Sequence, residues 1–287
     1  MNHRTLNRVA SMLSATLLML GASSSAEAVS YPDSLWVGNA SNASFPVLNI
    51  DKSGTVLRTD PNPDVTGFAI NVAGNTIYYG SAFTTPQFTP EITPHDLGSL
   101  AVNGAKFSSL GSDKDMTFDG ASIWRVGSGG LVQKFNPSTG AVLFFFVTGF
   151  ADGSRGIAWD GSNLWISHFV TDEVVQFTPA GVPTGNSFFA GRDCCTGGLA
   201  WDTTDGTMWV GQFGQIFHYT TSGILLGTLG LPDGRFVDGL EYQGVDTVPE
   251  PSSLALLGGG LIAFLGCVAR ARHAATRTGQ EVAGVDR

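Results

Sequence analysis

Aspartates crowd five short segments of this chain: RTDPNPDVTG, LGSDKD, GFADGSRG, GRDCCTGG and LPDGRFVDG. They hold Asp60, Asp64, Asp113, Asp115, Asp152, Asp193, Asp233 and Asp238, with Arg155, Arg192 and Arg235 among them. Carboxylates gathered on one face can ligate a divalent cation through hard oxygens, and carboxylates mixed with guanidinium groups can hydrogen-bond a polyhydroxylated ligand. Asp and Gly are also ordinary turn residues, so the identity of any metal stays unknown and no cofactor is required. The candidate ligand face comprises Asp64, Asp115, Asp152, Arg155, Arg192, Asp193, Arg235 and Asp238. His168, in WISHF, is the weak catalytic candidate, because a single imidazole without an identified acid partner makes poor acid–base machinery. Asp113 to Gly120 lacks the ligand order and closing Glu of an EF-hand, and there is no Walker loop, G-x-S-x-G or H-E-x-x-H. Cys194 and Cys195 are adjacent and form no metal-ligand spacing. A vicinal disulfide, two free thiols and an intermolecular bridge all remain open for them.

The elements that position these residues repeat. SLWVG, TIYYG, SIWRVG, NLWIS and TMWVG carry aromatic anchors at Trp36, Tyr78, Trp124, Trp165 and Trp209, spaced by 42, 46, 41 and 44 residues. A period in the low forties is the size of one four-stranded propeller blade. Before four of the anchors stand GFAINVAGN, DMTFDGA, GIAWDGS and GLAWDTTDG, each a short apolar strand followed by a turn rich in Asp, Asn and Gly. After them come further strand–turn–strand patterns. Each blade therefore reads as four antiparallel strands, A to D, with the anchor on strand B. The second blade fits least well, because Pro86, Pro90 and Pro94 loosen the stretch that contains His95.

Asp238 to Gly244 looks like a strand A with no strand B after it, whereas the body begins with a strand B and no strand A. Pairing the two ends closes a ring and removes exposed edges. The expected fold is an all-β, five-bladed propeller. A six-bladed ring with one degenerate blade is the main rival, and a β-sandwich is the other alternative. Ligands are then expected at the channel mouth formed by the D–A loops.

The stretch GIAWDGSNLWISHFVTDEVVQFTPAG resembles the repeats of streptogramin-lyase and NHL-type propellers, with a likeness that spans roughly residues 31–244. The resemblance implies the blade plan. It also raises an alternative to a pure binding module: a periplasmic, metal-dependent lyase or hydrolase using His168 with acidic partners. No lyase site is carried over residue by residue, and the sequence leans away from an enzyme.

Both ends look like processing segments. Residues 1–28 follow the order of a secretory signal helix, basic then apolar then small, with an A-x-A cut at Ala26 to Ala28 by signal peptidase. Residues 29–247 hold 9 basic and 20 acidic residues, a net of −11. That charge argues against nucleic-acid partners. Residues 251–269 carry no charge and make about 28 Å of helix, enough for a transmembrane span, and Arg270 and Arg272 then form a basic stop. Directly before the span stand Pro249, Glu250 and Pro251. The segment 248–272 resembles the PEP-CTERM sorting signal, followed by a basic and polar extension, 273–287. The resemblance implies an exported protein of a Gram-negative bacterium, tethered transiently to the inner membrane. An exosortase would then process it for the cell surface or medium, commonly alongside exopolysaccharide. A surface glycan or matrix protein is the expected partner.

Overall fold

The computed structural model describes residues 33–39, 45–61, 65–81, 90–109, 113–150, 153–191 and 195–244. The chain divides into two units, and residues 31–246 form the one described here. The signal helix, the transmembrane helix, the sorting motif and the basic stop lie outside the described residues. Among those described, no helix is long and apolar enough to cross a membrane.

The body is a five-bladed β-propeller. Blade 1 combines β1 (Ser34–Val37), β2 (Val47–Ile50) and β3 (Val56–Asp60) with β20 (Leu240–Gln243) from the other end of the body. Blade 2 is β4 (Gly67–Asn71), β5 (Thr76–Ser81), β6 (Glu91–Asp96) and β7 (Phe107–Ser108). Blade 3 is β8 (Asp113–Phe118), β9 (Ile123–Gly127), β10 (Leu131–Phe135) and β11 (Val142–Val147). Blade 4 is β12 (Ser154–Trp159), β13 (Leu164–His168), β14 (Glu173–Phe177) and β15 (Pro183–Phe189). Blade 5 is β16 (Leu199–Asp202), β17 (Thr207–Gly211), β18 (Gln215–Tyr219) and β19 (Leu225–Gly230). Every pairing is antiparallel, and the inner strands β20, β4, β8, β12 and β16 stand next to one another around the axis. Closure is the pairing expected from the ends: β20 lies beside β1, with Trp36 opposite Glu241 and Leu35 opposite Tyr242.

The core is split into five clusters, each between two neighbouring blades. Trp36 packs towards Phe68 and Ile77 of blade 2, and Tyr78 towards Met116 and Ile123 of blade 3. Trp124 meets Ile157 and Leu164 of blade 4, Trp165 meets Leu199 and Met208 of blade 5, and Trp209 meets Leu240 and Tyr242 of blade 1. The periodic anchor is thus the side chain that locks each blade to the next, and a large apolar side chain buried this way contributes about 1.5–3 kcal/mol.

The anchors also share a polar partner. In blades 3, 4 and 5 the aspartate closing strand A accepts the indole N–H: Trp124 to Asp119 at 2.8 Å, Trp165 to Asp160 at 2.9 Å and Trp209 to Asp202 at 3.1 Å. The second oxygen of each carboxylate takes backbone N–H groups of the A–B turn, as from Ser162 and Asn163 to Asp160. This explains why an aspartate recurs before each of these tryptophans.

Blade 2 corrects one expectation. His95 and Pro94 sit in β6 rather than in an irregular stretch, with Pro94 opposite Tyr78 and the His95 ring stacked on Tyr79 at 4.3 Å. Pro94 accepts the Asn103 N–H on its outer side. Its missing N–H therefore faces the side where β7 pairs only with Glu91 and Ile92, a position where proline costs a sheet little.

Candidate functional site

The five inner strands align as GFAIN, DMTFD, GIAWD, GLAWD and GLEYQ. Their first position is glycine in four blades because the inner strands touch backbone to backbone. A Cβ on Gly156 would lie 2.4 Å from Gly197 O, and one on Gly239 would lie 2.0 Å from Thr66 O. Blade 3 has Asp115 in this column. Its carboxylate accepts N–H groups from the residues that follow the column in four blades: Met116 at 2.9 Å, Leu199 at 3.0 Å, and Ile157 and Leu240 at 3.3 Å. Fully buried, Asp115 therefore occupies the axis and ties four blades together.

The third column is Ala69, Thr117, Ala158, Ala200 and Glu241. Glu241 reaches across the channel, where Thr117 Oγ1 donates to Oε1 at 3.3 Å, while buried Oε2 has no hydrogen-bond partner among the described residues. Burial, and then the Asp115 charge, push the Glu241 carboxyl well above the usual range. Burial pushes Asp115 up too, but four N–H donors favour its anion. The proton of the pair therefore belongs on Glu241, where it makes the group a hydrogen-bond donor.

The fourth column, Ile70, Phe118, Trp159, Trp201 and Tyr242, meets at the mouth formed by the A–B turns. All five side chains line a cavity of about 450 Å³, together with Thr117, Glu241, Asn71, Asp160 and Thr203. Its volume falls within the roughly 300–1,000 Å³ of small-ligand sites. No Lys or Arg is among its described lining residues. Tyr242 is held by a 2.5 Å bond between its hydroxyl and Thr204 Oγ1, and burial pushes its phenol up to about 12.

The residues read as a D–A ligand face fall as follows. Asp115 is on the axis, as above. Asp238 is fully buried and accepts from Arg155 at 2.7 Å, and the Arg155 guanidinium lies 4.4 Å from the Phe169 ring and 5.5 Å from that of Phe236. Burial raises Asp238 against the opposing effect of Arg155 and Lys114. Arg235 is also buried, forked onto Asp233 and donating to Pro46 O. Asp64, Asp152, Arg192, Asp193 and Cys194 lie outside the described residues. Cys195 is disulfide-bonded and adopts φ +76°. His168 Nδ1 bonds Thr171 Oγ1 at 2.5 Å and its ring stacks on Phe150 at 4.6 Å.

At the A–B turn of blade 5, Asp202, Asp205 and His218 bring ligand-type atoms within 4.8 Å of one another. The Lys52 ammonium sits 2.6 Å from Asp202, and the His218 ring is stacked on Trp209 at 3.9 Å. The Asp202 carboxylate of the cluster is thus already paired with a cation of the chain. Asn39, which begins the glycosylation-type tripeptide Asn39-Ala40-Ser41, is buried.

Comparison with known proteins adds the decisive fact about the C-terminal segment, whose residues 247–271 match the PEP-CTERM protein-sorting motif. The chain carries a PEP-CTERM sorting motif. The PEP-CTERM segment marks an exported protein for exosortase processing and sorting to the cell surface. No curated protein matches the chain. Among solved structures, it is similar to a chain of a nidogen/laminin complex, with 13% identity and TM-score 0.48, covering 74% of this chain and 98% of that one. It is also similar to a chain of a mitotic checkpoint complex (16%, TM-score 0.43, 70% and 62%) and to BamB from Moraxella catarrhalis (15%, 0.40, 69% and 62%). No property of those proteins is carried to this one.

Proposed function

We propose that this PEP-CTERM propeller is a surface or extracellular binding module for a neutral polyhydroxylated ligand, a glycan of the matrix or exopolysaccharide, held at the A–B mouth. The observation that carries the reading is the ring of Phe118, Trp159, Trp201 and Tyr242 around a cavity that also presents the Glu241 carboxyl. Flat aromatic faces cover the apolar face of a sugar ring, and a few convergent polar groups fix its hydroxyls. Anionic ligands are disfavoured by the acidic body and by a lining that, among the described residues, holds no Lys or Arg. A divalent cation is not needed for this binding.

Binding is supported over turnover by the setting of His168, bonded to a hydroxyl and stacked on a phenyl ring. The test is an array of neutral and acidic oligosaccharides probed with the protein in its exported form. Neutral glycans should bind and be lost on Trp201→Ala. Binding confined to acidic glycans would overturn the assignment.

A further inference from the structure

The six tryptophans divide by what the indole N–H, a donor only, does. The four blade anchors each donate to a side chain: Trp36 to Gln243, Trp124 to Asp119, Trp165 to Asp160 and Trp209 to Asp202. Trp159 and Trp201 line the A–B cavity, and among the described residues neither indole N–H has an acceptor. Other side chains of the lining are also left with donors. Asn71 Oδ1 is taken by the Gly74 N–H at 2.9 Å, which leaves the Asn71 NH₂ group unspent among the described residues. The Glu241 carboxyl holds the proton of the axial pair, and its buried Oε2 has no hydrogen-bond partner among the described residues. Acceptors of the lining are spent instead. The Asp160 carboxylate takes the N–H groups of Ser162, Asn163 and Trp165 and the amide of Gln176. The hydroxyls of Thr117 and Tyr242 are bonded to Glu241 and Thr204.

We infer that the A–B mouth selects an acyl-substituted sugar, whose acetyl carbonyl oxygens accept from the unspent donors of Trp159, Trp201, Asn71 and Glu241. A carbonyl oxygen brings two lone pairs and no hydrogen. A plain hydroxyl brings a hydrogen that needs an acceptor, and this lining is poor in them. A polar group buried without its partner weakens binding. The acetyl methyl adds apolar surface, which the faces of Phe118, Trp159 and Trp201 complement. N-acetyl amides and O-acetyl esters share this chemistry. The ester, which removes a hydroxyl hydrogen outright, is the closer match to a lining of donors. This inference rests on the neutral-glycan reading above and adds the substituent to it.

Isothermal titration of the exported protein with four tetrasaccharides of one backbone tests it. They are cellotetraose, O-acetylated cellotetraose, N-acetylchitotetraose and the de-acetylated, cationic form of the last. Both acetylated forms should bind about tenfold more tightly than cellotetraose, and their order tells ester from amide. Trp159→Phe and Trp201→Phe keep an aromatic face and lose the N–H, so each should shrink that preference about threefold. Glu241→Leu should shrink it too, and Glu241→Gln, which keeps a donor, should shrink it less. Equal binding of cellotetraose and both acetylated forms by the unaltered protein would overturn the inference while leaving a neutral-glycan site in place. So would an acetyl preference that none of these variants changes. Tightest binding of the cationic form would overturn it by assigning Glu241 as an anion. No binding of any of the four would overturn it as well, and a glycan array equally silent to neutral sugars would take the reading beneath it too.

Discussion

The indole Nε1 of Trp36 donates to Oε1 of Gln243 at 2.7 Å across 207 residues of sequence. Gln243 holds the place that Asp119, Asp160 and Asp202 hold in blades 3, 4 and 5, so the closing blade repeats the internal bond with residues from both ends. Both partners are buried. Replacing Gln243 by Ala leaves a buried N–H without an acceptor and should cost about 1–3 kcal/mol in urea unfolding. A loss below about 0.5 kcal/mol would mean that backbone pairing of β1 and β20 alone closes the ring.

The same logic applies inside a blade. Asp160→Ala strands the indole N–H of Trp165, the amide of Gln176 and the N–H groups of Ser162 and Asn163. The expected loss is about 2–4 kcal/mol, with a red shift of tryptophan emission in the folded state. Unchanged stability would show that water in the turn replaces the carboxylate at no cost.

Asp115 is an inward carboxylate bonded to four blades. Asp115→Asn keeps the shape but turns an NH₂ group towards a ring of donors, and should destabilise by roughly 3–5 kcal/mol. Removing the charge should also lower the Glu241 pKa, because Asp115 is one of the causes that raise it. Thermal unfolding of the single and double variants in a mutant cycle would show this coupling, and additivity would refute it.

Glu241 sets a pH dependence of definite sign. Its folded pKa lies above the unfolded value of 4.5, so its contribution is full below that pH and is lost as pH rises through the folded pKa. The slope can reach about −1.4 kcal/mol per pH unit for one group. Asp233, held down by its Arg235 bonds, acts oppositely. So does Asp119, which burial pushes up but Lys134, the turn N–H groups and Trp124 bring below its usual value. Their contributions are present above about pH 4 and vanish as pH falls through their folded pKa values. Stability should therefore peak in mild acid, and Glu241→Gln should flatten the limb above the peak. Identical profiles for the two proteins would contradict the placement of the proton.

The blade plan was legible because a large aromatic recurs at a fixed period and turn aspartates precede it. Ring closure was legible because the two unpaired strand patterns sit at opposite ends. The channel was less so. Asp115 replaces a glycine in the aligned inner strands, which is visible in DMTFDGA beside GIAWDGS, yet a turn aspartate and an axial one look alike until the donors around them are placed. Ile70, Phe118, Trp159, Trp201 and Tyr242 read as ordinary strand apolars. That they converge at one mouth depends on five blades closing, a property of the ring and not of any segment. His95 was obscured by Pro94, whose tolerance in β6 depends on which side of the strand lacks a neighbour.

The most direct test is a tryptophan-fluorescence titration of the exported protein with neutral oligosaccharides released from the matrix of its own cells. Trp159→Ala and Trp201→Ala would be titrated alongside it. A saturable change in the unaltered protein, weakened at least tenfold in each variant while their unfolding midpoints stay close to it, is the predicted result. No response in the unaltered protein, or equal binding in both variants, would contradict a ligand site at the A–B mouth.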